Sequence, residues 1–319
     1  MSSEVCVVTH TDLDGVASAA LIIKYLSNRG VGDVKTVLTQ PHSLHLILKR
    51  LKCDEVYLCD LGINHTTYDS ILSEVRRLRG EGASIYWFDH HVWQSAWIDQ
   101  LLELGVNLYV DVSTCSAGVV ANALKLLDEN SLKLVSATCS NDLWVFNDYL
   151  GNFLSRYVVC RSGNKWRRYL ISSLSAFDGS LSDEVLRCAE DVMDRDLRVF
   201  NSVIKKSLIF NVGGVKVALV MKEWEESSTS YIAHFLMSRV NADIVVVYRE
   251  GSISIRSNDF NVRELAVRLG GGGHPKAAGA PFRTPLLYRL LLALGIKKPA
   301  LKYCAKVVSR ELTAVLTAS

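Results

Sequence analysis

The chain has 319 residues, of which 49% are hydrophobic and 22% are charged, and these proportions exclude a disordered or fibrous protein. Its formal net charge of +3 is too small to indicate a protein that coats nucleic acid. No apolar run reaches the roughly 20 residues that a bilayer span requires, and the N-terminus lacks the features of a signal peptide. We therefore expect a cytoplasmic protein without a membrane segment, with enough chain for two hydrophobic cores.

Eight cysteines are scattered along the chain, at positions 6, 53, 59, 115, 139, 160, 188 and 304. Most lie in apolar runs, and none forms the C-x-x-C pair that is typical of a zinc or redox site. This pattern predicts buried, reduced thiols and no disulfide framework. The exception would be the cytosol of a thermophile, where disulfides do occur.

The first half of the chain alternates short apolar runs with helical patterns, which is typical of βαβ units. The predicted strands are Glu4–Thr9, Val34–Thr39, Val56–Cys59, Ser84–Phe88 and Asn107–Val110. The predicted helices are Val16–Ser27, Ser43–Lys49, Thr67–Arg79 and Ala117–Asp128. Because the strands are almost continuously apolar, we expect a doubly wound parallel sheet, covered by helices on both faces.

The pattern is helical from Leu132 to about Val203, and strands return after it, following a turn that begins at Phe210. The later strands are predicted at Val215–Met221, Asp243–Arg249 and Ser252–Arg256, and the helices at Ser230–Val240 and Val262–Leu269. The sequence therefore predicts two α/β domains. Residues 1–200 form the first domain with a helical connector, and residues 207–319 form a smaller domain with a mixed sheet. Helices are also expected beyond residue 286, as candidates for a homodimer contact or a lid.

Acidic and imidazole side chains follow the predicted strands of the first half. They are His10, Asp12 and Asp14 after the first strand, Asp60 after a later one, and Asp89, His90 and His91 after the next. Because the carboxyl ends of parallel strands face one crevice, we expect these side chains to converge. Carboxylates gathered in this way repel each other unless cations lie between them. The sequence therefore predicts a metal centre.

The ligand types and their spacing indicate two divalent cations. Aspartate and imidazole without thiolate suit divalent ions such as Mn²⁺, Mg²⁺ or Co²⁺ better than a structural zinc. The loop after the first strand can give His10 and Asp12 to one cation and Asp14 to its neighbour. Asp60 would then bridge the two.

The helical region is expected to supply one more acid. Asp142 lies in an otherwise apolar helical run, where an unpaired charge is costly, and Asp148 is the competing choice. Asp111 also follows a strand, but the Ser and Thr residues after it favour a helix cap.

A glycine-rich segment from Gly270 to Gly279 is the second candidate site. Consecutive glycines let backbone amides approach an anion, and Pro275 favours a helix start whose N-terminus would also attract phosphate. Arg256 ends a strand and can offer a planar guanidinium to a phosphate. The predicted substrate-binding residues are Arg256, Gly271, Gly272, Gly273, His274 and Lys276.

A basic stretch without acids lies in the helical connector. It contains Arg156, Arg161, Lys165, Arg167 and Arg168, interleaved with Tyr157, Trp166 and Tyr169. Such a stretch could follow a nucleic-acid strand. A solvated helix face is an equally good interpretation, and the sequence leaves both open.

Taken in order, these motifs resemble the DHH phosphoesterase superfamily, in the subfamily with the DHH-associated C-terminal domain. The resemblance rests on His10-Thr-Asp-Leu-Asp-Gly15, Asp60, Asp89-His90-His91, Asp142 and Gly270–Gly279. It implies an enzyme activated by Mn²⁺, with two ions per active site. It further implies that His10, Asp12 and Asp60 hold one ion, and that Asp14, Asp60, His90 and Asp142 hold the other.

The same resemblance implies catalytic roles for His91, which would face the substrate, and for Asp89, which would orient the histidines. The first-choice activity is hydrolysis of short RNA or DNA oligonucleotides, or of the ends of single strands, to mononucleotides. The alternatives are a small-nucleotide phosphatase acting on 3′-phosphoadenosine 5′-phosphate or a cyclic-dinucleotide product, a pyrophosphatase, and a non-catalytic protein associated with replication.

Overall fold

The computed structural model describes residues 4–222 and 228–317. The chain divides into two compact units, one up to Ala189 and the other from Glu190. Within the described residues, no helix is both long and apolar enough to cross a membrane.

The first unit alternates strands and helices and then continues with helices alone. Its strands are β1 (Val5–Thr9), β2 (Val34–Leu38), β3 (Glu55–Cys59), β4 (Ser84–Asp89) and β5 (Asn107–Val110). Its helices are α1 (Leu13–Ser27), α2 (Leu44–Leu48), α3 (Tyr68–Gly80), α4 (Ser95–Glu103), α5 (Ser116–Leu124), α6 (Glu129–Asp142), α7 (Tyr149–Cys160) and α8 (Asn164–Ser175). Helix α9 (Asp183–Lys206) begins in this unit and ends in the next.

The five strands form one parallel sheet in the order β2-β1-β3-β4-β5. Successive side chains of β1 enter two different cores, because Val5 packs with α1 and α5 on one face and Val8 packs with α2 and α3 on the other. The predicted doubly wound fold is therefore confirmed. The register aligns Thr9 with Cys59, and Cys59 with Phe88, so that β1, β3 and β4 end at the same level.

Helix α1 brings a carboxylate into the interior. It is apolar on most sides and lies among the sheet, α5 and α8, so that most of its residues are buried. Its N-cap is Asp12, whose side chain accepts a hydrogen bond from the Gly15 amide at 3.1 Å. Asp14, in the first turn, is consequently only 1% exposed.

The second unit is built on a mixed sheet, as the sequence predicts. Its strands are β6 (Leu208–Val212), β7 (Val215–Met221), β8 (Ile244–Arg249), β9 (Gly251–Arg256), β10 (Gly272–Gly273) and β11 (Ala277–Phe282). Its helices are α10 (Thr229–Val240), α11 (Val262–Arg268), α12 (Leu286–Ala293) and α13 (Lys298–Leu316). The sheet order is β10-β11-β9-β8-β7-β6, and only the β7–β8 pair among the described strands is parallel.

Two local predictions in this unit are wrong. Pro275 does not start a helix, because the chain turns at His274–Lys276 and pairs β10 with β11 in antiparallel fashion. Phe210 lies inside strand β6 and not in a turn. The turn itself comes at Gly213 and Gly214, where both residues have positive φ.

The prediction of reduced thiols is wrong for six of the eight cysteines. Disulfides join Cys6 to Cys53, Cys115 to Cys139, and Cys160 to Cys188. Cys59 and Cys304 are buried free thiols. The paired cysteines are 24 to 47 residues apart in sequence, yet their Cα atoms lie 5.1 to 6.0 Å apart. Apolar neighbours in the sequence predict that a cysteine is buried, but burial alone does not distinguish a thiol from a disulfide.

Candidate metal centre

Two groups of potential ligands lie at the carboxyl edge of the parallel sheet. In the first group, His10 Nδ1 lies 2.8 Å from Asp12 Oδ2 and 3.4 Å from Asp60 Oδ2. His10 follows β1 directly and Asp60 follows β3, and the common level of these strand ends brings the two residues together. The three residues together present one imidazole nitrogen and two carboxylates, a donor set that suits divalent cations.

The second group is centred on His90, which follows β4. Its Nε2 atom lies 3.6 Å from Asp14 Oδ2, 3.6 Å from Asp60 Oδ1 and 3.4 Å from Asp142 Oδ2. Asp142 is the last residue of α6, so this helix ends at the site. His90 is 1% exposed and Asp60 is 3% exposed, so water cannot offset the charges that meet here.

Asp60 belongs to both groups, because one of its oxygens faces His10 and the other faces His90. Its backbone has a φ of 57°, in the left-handed region that non-glycine residues seldom adopt. Asp60 Oδ2 and Asp142 Oδ2 are buried and accept no hydrogen bond from any described residue. Orphaned acceptors of this kind are explained by bound cations, and the donor set fits two divalent ions that share Asp60.

The electrostatics of the cluster also favour cations. Burial raises the pKa of Asp142 to about 7, and the carboxylates of Asp60 and Asp12 add to the rise against the opposing effect of His90. Burial and the charges of Asp60 and Asp142 likewise raise the pKa of Asp14. These acids therefore hold protons more tightly than isolated carboxylates, and a cation would displace those protons.

Hydrogen bonds orient the two histidine rings. His90 Nδ1 donates to the Thr114 carbonyl at 3.1 Å, which turns Nε2 toward the carboxylates. His10 Nε2 lies 2.9 Å from Gln40 Oε1, and Gln40 Nε2 donates to Thr11 Oγ1 at 2.6 Å. An amide oxygen accepts only, so the Nε2 atom of His10 carries hydrogen and Nδ1 faces the acids. Sequence reasoning missed Gln40, although it follows strand β2 next to β1.

Replacing Gln40 with alanine should weaken Mn²⁺ binding by about 10- to 100-fold, because the His10 ring loses the partner that fixes its orientation. Titration calorimetry would measure the loss. Gln100→Ala is the matched control, since Gln100 in the same unit accepts a bond from Tyr68 at 2.8 Å and has no part in the cluster. Equal affinities for the two variants would show that Gln40 does not position His10.

Asp89 and His91 form a hydrogen-bonded pair beside the two groups, and their potential ligand atoms lie within 4.8 Å of one of Asp60. Asp89 accepts from the His91 ring at 2.9 Å and from the Trp93 indole at 2.6 Å, and it is fully buried. Burial would raise the pKa of Asp89, but the His91 charge and these bonds lower it. Burial alone would lower the pKa of His91. The charge of Asp89 and its hydrogen bond outweigh this effect, so the pKa of His91 rises to about 9. Gly62 permits this arrangement, because a Cβ there would lie 2.9 Å from the His91 ring.

Asp14 makes a second set of contacts, at the N-terminus of α5. The Ser116 and Ala117 amides donate to its two oxygens at 2.8 and 2.9 Å. Asp14 therefore occupies the capping place that sequence reasoning assigned to Asp111, and that assignment is wrong. Asp111 instead is exposed and accepts bonds from the amide and hydroxyl of Ser113.

The structure gives different roles to the remaining candidate residues of the first unit. Asp148 caps α7 by accepting from the Leu150 amide, whereas its competitor Asp142 lies in the cluster. In the basic stretch, Tyr157 and Trp166 are buried core residues and so offer no stacking surface. Arg167 is half-buried and donates to the carbonyl of Thr11, in the loop between His10 and Asp12.

The predicted substrate-binding residues lie on or next to β9, β10 and β11, three neighbouring strands at one side of the second sheet. The register pairs Arg256 with Ala277, next to the turn that carries His274 and Lys276. The Arg256 guanidinium donates to the Ala278 carbonyl at 3.1 Å. Packing requires glycine at position 271, because a Cβ there would overlap the Gly279 carbonyl oxygen.

Gly271→Ala should lower the free energy of unfolding of the second unit by about 1–3 kcal/mol, because the added methyl forces β10 away from β11. Gly272→Ala is the matched control, since a Cβ at 272 meets nothing within 4 Å. Its effect should stay within about 0.5 kcal/mol. Denaturant unfolding of both variants would test this, and equal stabilities would contradict the packing argument.

Comparison with known proteins agrees with this architecture. The family model described as "DHH family, N-terminal domain" matches residues 4–141, and the model described as "DHHA1 domain" matches residues 213–294. No curated protein matches the chain.

Solved structures share the fold at low sequence identity. An exopolyphosphatase-related protein from Bacteroides fragilis is 14% identical with a TM-score of 0.57, over 96% of this chain and 93% of that one. A pGpG-specific phosphodiesterase, PggH, from Vibrio cholerae is 15% identical with a TM-score of 0.53, over 91% and 97%. An exonuclease RecJ bound to manganese is 16% identical with a TM-score of 0.52, over 95% and 90%.

The two matched domains, in this order, define the class of protein as a metal-dependent phosphoesterase. The chain belongs to the DHH family and carries the DHHA1 domain as its C-terminal part. The family likeness that the sequence motifs indicate is thereby confirmed.

Proposed function

We propose that the protein is a Mn²⁺-dependent phosphodiesterase or exonuclease with two metal ions, and that it hydrolyses short oligonucleotides or the ends of single strands to mononucleotides. The observation that carries this proposal is the position of Asp60, which turns one oxygen toward each of two histidine-containing groups. Two ions held there would lower the pKa of an attacking water and offset charge on the phosphoryl oxygens.

The ligand assignment follows the two groups. His10, Asp12 and Asp60 would hold one ion, and Asp14, Asp60, His90 and Asp142 would hold the other. The orphaned carboxylate oxygens of Asp60 and Asp142 support this assignment. The manganese in the RecJ structure of similar fold supports the choice of metal.

His91 and Asp89 would supply the catalytic groups of the protein itself. With a pKa of about 9, His91 is protonated at neutral pH, so that its ring can donate to a phosphoryl oxygen or a leaving oxygen. Asp89 holds the ring through Nδ1 and keeps it charged. Arg167, beside Thr11, adds a cation near the loop that carries Asp12.

The second unit would bind the non-reacting part of the substrate. Arg256, His274 and Lys276 would supply positive charge or donors, and Gly272 and Gly273 lie beside them in the β10–β11 hairpin. The Gly271 amide cannot take the predicted role, because it donates to the Ala266 carbonyl at 2.8 Å. Short oligonucleotides are the favoured class because two proteins of similar fold are by name a pGpG-specific phosphodiesterase and an exonuclease. The homodimer and the cytoplasmic location stay predictions.

The test is a set of 5′-labelled RNA and DNA strands of two to about twenty nucleotides, incubated with Mn²⁺ and the purified protein. Loss of the shortest strands first, or shortening of longer ones to mononucleotides, is the expected result. 3′-Phosphoadenosine 5′-phosphate and pyrophosphate are assayed in parallel. Phosphate release from these small molecules alone would replace the proposal with the phosphatase alternative, and no turnover of any substrate would favour the non-catalytic one.

A further inference from the structure

The disulfide between Cys115 and Cys139 lies at the second ligand group. Cys115 is the N-cap residue of α5, and Cys139 is on α6, one turn before Asp142. The crosslink therefore ties the start of one helix to the end of another. Cys115 is fully buried, and Cys139 is half-buried.

Residues on both sides of Cys115 hold members of that group. The two amides after it, of Ser116 and Ala117, donate to both oxygens of Asp14. The carbonyl before it, of Thr114, accepts from the ring of His90 at 3.1 Å. A shift of this turn would move Asp14 and the imidazole together.

On the other side of the crosslink, α6 carries only one member of the group. Asp142 Oδ2 lies 3.4 Å from His90 Nε2 and accepts no hydrogen bond from any described residue. This oxygen therefore has no hydrogen bond to the α5 turn. The turn and α6 are joined by a weak contact at 3.5 Å between Thr114 Oγ1 and Cys139 Sγ, and covalently by the disulfide, which ties the backbone that carries Asp142 to the turn that holds Asp14 and His90.

We propose that the Cys115–Cys139 disulfide is a positioning crosslink for the candidate metal centre, which keeps Asp142 in place against Asp14 and His90. This inference rests on the proposed function. It predicts a specific defect when the crosslink is removed, because the group of His10 and Asp12 has no contact with α5 or α6 among the bonds described above. The affinity of the group around His90 for Mn²⁺ should fall, and the affinity of the group of His10 and Asp12 should stay the same.

The chain offers a closely matched control. The Cys160–Cys188 disulfide lies in the same unit and closes a segment of 28 residues, against 24 for Cys115–Cys139. The two crosslinks therefore restrict the unfolded chain to nearly the same extent. Cys160 and Cys188 are on α7 and α9, and neither helix carries a candidate metal ligand.

The experiment compares Cys115→Ala/Cys139→Ala with Cys160→Ala/Cys188→Ala and the wild type. Alanine is chosen because serine at position 115 would form a new N-cap bond. Mass spectrometry after thiol alkylation first establishes the crosslinks in the unreduced protein. Mn²⁺ titration followed by electron paramagnetic resonance and calorimetry then gives the dissociation constant of each step, and thermal unfolding gives stability.

We expect both variants to lose similar stability, while only Cys115→Ala/Cys139→Ala weakens one Mn²⁺ step, by about 10- to 100-fold. Alkylated thiols at 115 and 139 in the unreduced protein would overturn the proposal, as would an equal change of Mn²⁺ affinity in both variants or in neither. A wild type that binds two Mn²⁺ ions but hydrolyses nothing would contradict the proposed function and leave the crosslink's role testable. A wild type that binds no Mn²⁺ would overturn both.

Discussion

Asp60→Asn is expected to lower kcat by about 10³-fold or more, because the several kcal/mol of charge stabilisation that metal ions supply depends on both ligand groups. Asp60 is the described carboxylate that faces both His10 and His90. Asparagine has the same shape and tolerates the φ of 57° at this position. The fold should therefore survive, and circular dichroism would check it.

The same substitution should change the stability of the protein little in the presence of a chelator. Without metal, Asp60 repels the buried acids Asp14 and Asp142, but it also attracts the rings of His10 and His90. Replacing it removes both effects, so thermal unfolding in chelator should occur close to the wild-type temperature. Asp111→Asn is the control at the same edge of the sheet, since Asp111 is exposed and outside the cluster. A variant at Asp60 with wild-type turnover would contradict the shared-ligand arrangement.

Mn²⁺ affinity should rise steeply with pH, by about tenfold per pH unit for every proton that binding releases. Burial by itself would lower the pKa of His90, but the nearby carboxylates of Asp60, Asp14 and Asp142 raise it to about 11. The pKa of Asp142 is raised to about 7. Both groups must lose a proton before they can act as ligands, so metal and protons compete between pH 6 and pH 8.

The stability of the folded protein should also depend on pH, because the protonation of Asp142 affects it. Asp142 binds its proton more tightly in the folded protein than in the unfolded chain. Its contribution is therefore present below about pH 4 and lost as the pH rises through about 7. Bound Mn²⁺ keeps this carboxylate ionised and removes that loss. The difference in melting temperature between metal-loaded and chelated protein should consequently grow from pH 5 to pH 8.

Calorimetry in buffers of different ionisation enthalpy would count the released protons. Asp142→Asn should release fewer protons than the wild type, whereas Asp148→Asn should release the same number, because Asp148 caps α7 away from the cluster. A Mn²⁺ affinity that does not change between pH 6 and pH 8 would contradict this account of the cluster.

Local patterns in the sequence were sufficient to predict the parallel sheet and the positions where its strands end. Hydrophobic runs of five or six residues predict β1, β3 and β4, and the helical patterns between them predict that these strands are parallel. Parallel strands expose their carboxyl ends at one edge, so His10, Asp60 and His90 could be grouped without coordinates. Short elements with weak patterns, such as α4 and β10, were missed because their residues pack mainly by tertiary contact.

The other parts of the site depend on contacts between residues that are distant in the sequence. Asp14 meets the α5 amides from more than 100 positions away, and the disulfide partners are 24 to 47 residues apart. Gln40 follows a strand end, but the sequence does not show that its side chain reaches His10, nor that the Trp93 indole reaches Asp89. Periodicity reports which face of an element is buried, and it carries no information on which buried atoms meet. The sequence by itself therefore determined the sheet and its acidic edge, whereas the tertiary structure decided which atoms hold each candidate ligand in place.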